Sequence, residues 1–101
     1  MAIVAITKDN FDQLVMQPGS KVLLDFWAPW CGPCRLIAPH IDDIAEEDES
    51  LTVGKVNVDE EMELAAKFGI TSIPTLIVIE NGQVKNQALG YRTKADILKL
   101  L

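Results

Sequence analysis

Apolar residues along this chain switch between two rhythms, every second position or every third and fourth, and the switches fall at turn-forming residues. Ile3 to Ile6 reads as a short strand. Phe11, Leu14 and Val15 then recur at helical spacing behind Thr7-Lys8-Asp9-Asn10, a stretch rich in helix-capping residues, and Pro18-Gly19 ends that helix. Val22 to Ala28 is apolar except for Asp25, as expected of a central strand covered on both faces. From Pro33 onward, Cys34, Ile37, Ala38, Ile41, Ile44 and Ala45 form one helical stripe, and Pro39 within it removes a backbone hydrogen bond and bends the axis. Leu51 to Val58 reads as a third strand. Asp59 is placed to cap a helix with Glu60 and Glu61 in its first turn and Lys67 before Gly69 at its end. Thr75 to Glu80 and Gln83 to Leu89 are strands joined by Asn81-Gly82, a strong hairpin signal. The last helix begins near Thr93, has Asp96 in its first turn, and buries Ile97, Leu98 and Leu101.

Helices between the early strands make those strands parallel, and the hairpin adds two antiparallel ones. The fold class is therefore α/β, a mixed sheet with helices on both faces. A chain of 101 residues, 49% hydrophobic, buries one core and is too short for two ordinary domains, so one domain over residues 1–101 is expected. A net charge of -6 with no basic run argues against nucleic acid as a partner. Apolar runs such as Leu76 to Ile79 are far too short to cross a bilayer, and Met1 to Ile6 lacks the basic start and apolar length of a signal peptide. These features lead to the expectation of a cytoplasmic protein that does not engage a membrane. No feature marks a large symmetric interface, so a monomer is expected too. The glycines are too dispersed for a phosphate loop, no Ser-His-Asp or His-Glu-x-x-His arrangement is present, and no bound cofactor is expected.

Cys31 and Cys34 would restrain little of the unfolded chain as a staple, so their spacing points to chemistry: half of a metal site, or a redox pair. Zinc needs four ligands, yet there is no second cysteine pair, and the single histidine, His40, falls on another face of the helix. His40 reads as a surface residue without a role. Two inert core thiols remain the plain alternative. For thiol-disulfide exchange the pair is well arranged, because a thiolate must attack and a second thiol must then break the mixed disulfide. Cys31 precedes the apolar stripe, at an exposed helix start where free N–H groups favour a thiolate; Cys34 lies on the buried side. Cys31 is thus the candidate attacker and Cys34 the candidate resolving thiol, with Pro33 suited to the first helical turn. Asp25 inside an apolar strand should have a raised pKa, fitting a proton relay, although a strand-end carboxylate bonded to a backbone amide reads equally well. Lys55 alone is a lysine on a strand face, Phe26 and Trp27 read as core, and Glu46 to Glu49 as a solvated helix end.

Phe26-Trp27-Ala28-Pro29-Trp30-Cys31-Gly32-Pro33-Cys34 closely resembles the active-site segment of the thioredoxin family. Asp25, Pro39, Lys55, Ile73-Pro74-Thr75, Asn81-Gly82 and Gly90 match that family in type and order, across nearly the whole chain. The resemblance implies the thioredoxin fold, a central mixed five-stranded sheet flanked by about four helices, and a protein-disulfide reductase re-reduced by thioredoxin reductase or a ferredoxin-linked equivalent. It implies that Asp25 takes the proton of Cys34 with Lys55 nearby. It further implies a cis-proline turn at Ile73-Pro74, and a flat apolar surface around Cys31 made by Trp30, Gly32, Pro33, Ile73, Pro74 and Gly90, which receives disulfide-containing proteins. Arg35 stands where the family commonly has lysine, and Tyr91 where a small residue is frequent, so Tyr91 bears on partner preference. Two rival functions are a binding module with incidental thiols, and a disulfide donor in an oxidising compartment, against which Gly32-Pro33 argues.

Overall fold

The computed structural model describes residues 3–101, so the first two residues of the stretch read for a signal peptide lie outside it. Its sheet grows outward from β2 (Lys21–Trp27), the strand whose sequence is apolar on both faces. On one side β2 pairs in parallel with β3 (Thr52–Asn57), which pairs in parallel with β1 (Ile3–Ala5). On the other side it pairs antiparallel with β4 (Thr75–Glu80), which pairs antiparallel with β5 (Gln83–Leu89). The resulting order is β1-β3-β2-β4-β5, a five-stranded mixed sheet.

Side chains alternate between faces along each strand, and this alternation sorts the core into two halves. Val22, Leu24 and Phe26 join Ile77 and Ile79 beneath α1 (Phe11–Val15) and α3 (Met62–Lys67). Phe68 seals that half, its ring 5.8 Å from Phe11 and 5.5 Å from Phe26. On the opposite face Leu23, Val53, Leu76 and Val78 meet Ile37, Ile41 and Ile44 of α2 (Gly32–Glu47) and Ile97 of α4 (Lys94–Leu100). Lys94 and Glu47 form an ion pair between these two helices. Gly54 marks a close approach: a Cβ there would stand 2.5 Å from Ile6 Cγ1 and 3.1 Å from Leu24 Cδ2.

Several local readings shift. The helix expected from Asp59 starts at Met62, because Asn57 organises a turn first. Its carbonyl accepts the Glu60 and Glu61 N–H groups at 3.1 and 2.8 Å, and its side chain accepts the Asp59 N–H at 2.9 Å. Glu60 and Glu61 therefore precede the helix. Asn10 does not cap α1 with its side chain, which turns back to the Thr7 N–H and the Ala5 carbonyl. Thr93 does cap α4, accepting the Asp96 N–H at 3.2 Å. Ile97 is buried as expected, but Leu98 is exposed, one position round the helix from the buried stripe, and Leu101 is half-buried. Asn81 and Gly82 take positive φ values of 54° and 77°, as the tight hairpin requires.

The strand directions place the ends of β2, β3 and β5 and the start of β4 together at one end of the sheet. Every candidate site residue on a loop lies at that end.

Candidate active site

Cys31 is the N-cap of α2, with an extended backbone, and Gly32 and Pro33 occupy the first helical positions. Pro33 fits because its missing N–H would have no helical partner there. The Cys31 and Cys34 Cα atoms are 5.2 Å apart and their sulfurs are joined as a disulfide. Cys31 Sγ accepts the Cys34 backbone N–H at 3.2 Å, so the sulfur sits among the free donors of the helix start.

Cys31 is less open than its place at the helix start suggests, with 5% of its surface exposed. Ala28 and Cys34 are buried with it, and Trp27, Val58 and Ile73 pack around them. Ile73 belongs to a cis Ile73–Pro74 bond, and its carbonyl oxygen lies 3.8 Å from Cys31 Sγ. Pro74 is itself buried, and its carbonyl accepts the Gly90 N–H at 2.8 Å, which ties the end of β5 to this turn. Trp30, Gly32, Pro33, Ile73, Pro74 and Gly90 thus converge around Cys31, with Trp30 and Pro33 exposed and Gly32, Ile73 and Gly90 half-buried. A hollow of about 160 Å³ opens beside them, lined by Trp30, Val58, Ala65, Ile70 and Ile73 among others.

Asp25 lies on β2 opposite Lys55 of β3, and its Oδ2 is 4.0 Å from the Lys55 ammonium. It is wholly buried, and neither carboxyl oxygen has a hydrogen-bond partner among the described residues. Burial pushes its pKa from 3.8 up to about 6; the Lys55 charge pulls the other way, and Asp42 on α2 adds to the rise. The alternative of a carboxylate satisfied by a backbone amide is therefore not what the structure shows. Alternation along β2 puts Asp25 on the face of Leu23, which packs on α2, and of Trp27, which packs beside the cysteines. Lys55 also stands 4.9 Å from the Trp27 ring centre, and a hollow of about 210 Å³ flanks this pair.

A family model described as Thioredoxin matches residues 2–101. The chain is 42% identical to the thioredoxin of Pyropia yezoensis over 102 aligned residues, covering 100% of this chain and 95% of that protein. It is 45% identical to the thioredoxin of Alicyclobacillus acidocaldarius, covering 95% and 91% of the two chains, and 43% identical to thioredoxin 1 of a Nostoc species, covering 99% and 94%. The chain belongs to the thioredoxin family. Membership in the thioredoxin family makes it a thiol-disulfide oxidoreductase, with Cys31 and Cys34 as its redox-active pair. Thioredoxin-family chemistry also implies disulfide-containing protein substrates and a reductase partner.

Within this thioredoxin-family site the structure adds three contacts. Trp30 Nε1 donates to Asp59 Oδ2 at 2.9 Å, and Arg35 Nη1 donates to the Pro29 carbonyl at 2.8 Å. His40 Nε2 and the Tyr91 hydroxyl are 2.9 Å apart. The Trp30–Asp59 and His40–Tyr91 pairs join residues too distant in sequence for local pattern to link them, so Asp59 and His40 carried no site signal.

Proposed function

We propose that this chain reduces protein disulfides, with Cys31 as nucleophile and Cys34 as resolving thiol. The observation that carries the assignment of roles is the position of Cys31 Sγ at the N-cap of α2, receiving a backbone N–H. A sulfur so placed gains most from helix-end donors when it is a thiolate. In the first step the Cys31 thiolate attacks one sulfur of the target disulfide, forming a mixed disulfide and expelling the other target sulfur as thiolate. In the second, Cys34 loses its proton and attacks Cys31 Sγ, releasing the second target thiolate and closing the Cys31–Cys34 disulfide. Two electrons pass to the target.

Asp25 is the proposed acceptor of the Cys34 proton. A pKa near 6 suits a carboxyl that must be ionised before the second step and take a proton during it. Lys55 biases it towards the ionised form. Trp30, Gly32, Pro33, Ile73, Pro74 and Gly90 are the proposed contact surface for an extended target segment. Thioredoxin reductase or a ferredoxin-linked equivalent is the proposed electron source, the cytoplasm the proposed compartment, and a single-domain monomer the proposed form. Among the described residues no helix is long and apolar enough to cross a membrane.

Insulin disulfide reduction with NADPH and a thioredoxin reductase tests the reading. Wild-type protein should turn over, Cys31→Ser should lose turnover, and Cys34→Ser should accumulate mixed disulfides. Full activity in either variant would overturn the assignment. If wild type is silent, dithiothreitol as reductant separates an incompatible reductase from absent activity.

A further inference from the structure

Two exposed aromatic residues flank the cysteines, and each is tethered by its one polar group, the indole N–H of Trp30 and the hydroxyl of Tyr91. Trp30 is held by Asp59 on the β3 side of β2. Tyr91 follows Gly90 at the end of β5, on the other side of the site, and its hydroxyl is held by His40 with the two rings 5.8 Å apart. Gly32, Leu36 and His40 are spaced by four along α2, so they lie one above another on one face. That stripe runs about 12 Å from the start of α2, at a rise of ~1.5 Å per residue. Leu36 is 66% exposed and Tyr91 45% exposed, so both present apolar surface to solvent. Gly32 is already part of the proposed contact surface, so the stripe continues that surface along α2.

We infer that His40 is a positioning residue that holds Tyr91 against α2, extending the target-binding surface into an apolar strip of Leu36 and Tyr91 that selects targets carrying an aromatic or aliphatic side chain several residues from the reacting half-cystine. The inference rests on the exchange reading above and adds the class of target to it. An extended segment covers ~3.3 Å per residue, so a strip of this length reaches about three residues beyond the sulfur under attack. Tethering matters because a ring already fixed in place gives up little rotamer freedom when a target lands on it. Without His40 the Tyr91 ring would keep its chemistry but lose its place.

The test uses full-length protein reduced with dithiothreitol and two cystine peptides that differ only in carrying Phe or Ser three residues to either side of the half-cystine. Hydroxyethyl disulfide, too small to reach the strip, serves as reference. Wild type should favour the Phe peptide roughly threefold to tenfold in kcat/KM, the effect lying in KM. His40→Ala should abolish that preference while reducing hydroxyethyl disulfide at the wild-type rate. Tyr91→Phe, which keeps the ring and loses the tether, should do the same to the preference and add nothing to His40→Ala in the double variant. His40→Gln, whose amide still reaches the hydroxyl, should restore it. A preference that survives His40→Ala, or its absence in wild type, overturns the inference while leaving the exchange reading intact. Wild-type protein unable to reduce even hydroxyethyl disulfide would bring down both.

Discussion

A carboxyl group enclosed by a sheet resists ionising, and in Asp25 that resistance reaches towards neutral pH. Its pKa is about 6 in the fold, raised chiefly by desolvation, against 3.8 in the open chain. Between those values the folded state holds a proton that the unfolded state has lost, so folding weakens as the pH rises. The stability tied to the neutral group is complete below 3.8, declines through about 6, and above that is lower by on the order of 3 kcal/mol. Asp25→Asn, which removes the ionisation and keeps the shape, should raise the urea midpoint at pH 8 and change it little at pH 4. Equal effects at the two pH values would contradict the desolvated carboxyl. At this scale the sequence was informative: one charged residue in the apolar run from Val22 to Ala28 signals burial at a cost. Its lack of a hydrogen-bond partner among the described residues depends on the neighbouring strands and was not legible.

Among the elements, β3 contains a position where the packing admits no side chain. Gly54→Ala would drive a Cβ into Ile6 and Leu24, and should destabilise the protein by about 1–3 kcal/mol in urea unfolding, without altering the disulfide pair. Element types followed from periodicity, because each strand and helix buries an apolar face at its own repeat. Boundaries followed less well. The start of α3 is displaced by Asn57, whose backbone and side chain compete with Asp59 for the same few donors. Leu98 was read as buried together with Ile97 and Leu101, but an adjacent helical residue points about 100° away from Ile97, and Leu98 is exposed. The cysteine site was legible since its residues are contiguous. Its tethers, Trp30 to Asp59 and Tyr91 to His40, bridge separate elements and needed the fold.

For the whole molecule, the two halves of the core are not independent, because β2 and β4 contribute alternate side chains to both. Leu76 and Ile77, adjacent on β4, serve opposite faces. Leu76→Ala and Ile77→Ala should each cost roughly 2–5 kcal/mol. In both variants near-UV and far-UV circular dichroism should still trace one coincident transition. Separate transitions would mean that one face can melt while the other stands.

The end of the sheet away from the cysteines has its own use. The turn from Asp48 to Ser50 lies at the far end of β3, about 20 Å of strand from the site loops, and its side chains are exposed. Nothing assigned to electron exchange resides there. That turn is where a fluorophore, an affinity handle or a fused peptide could be attached with the least effect on how a target meets Cys31. The protein could then be immobilised by one pole while the other stays accessible.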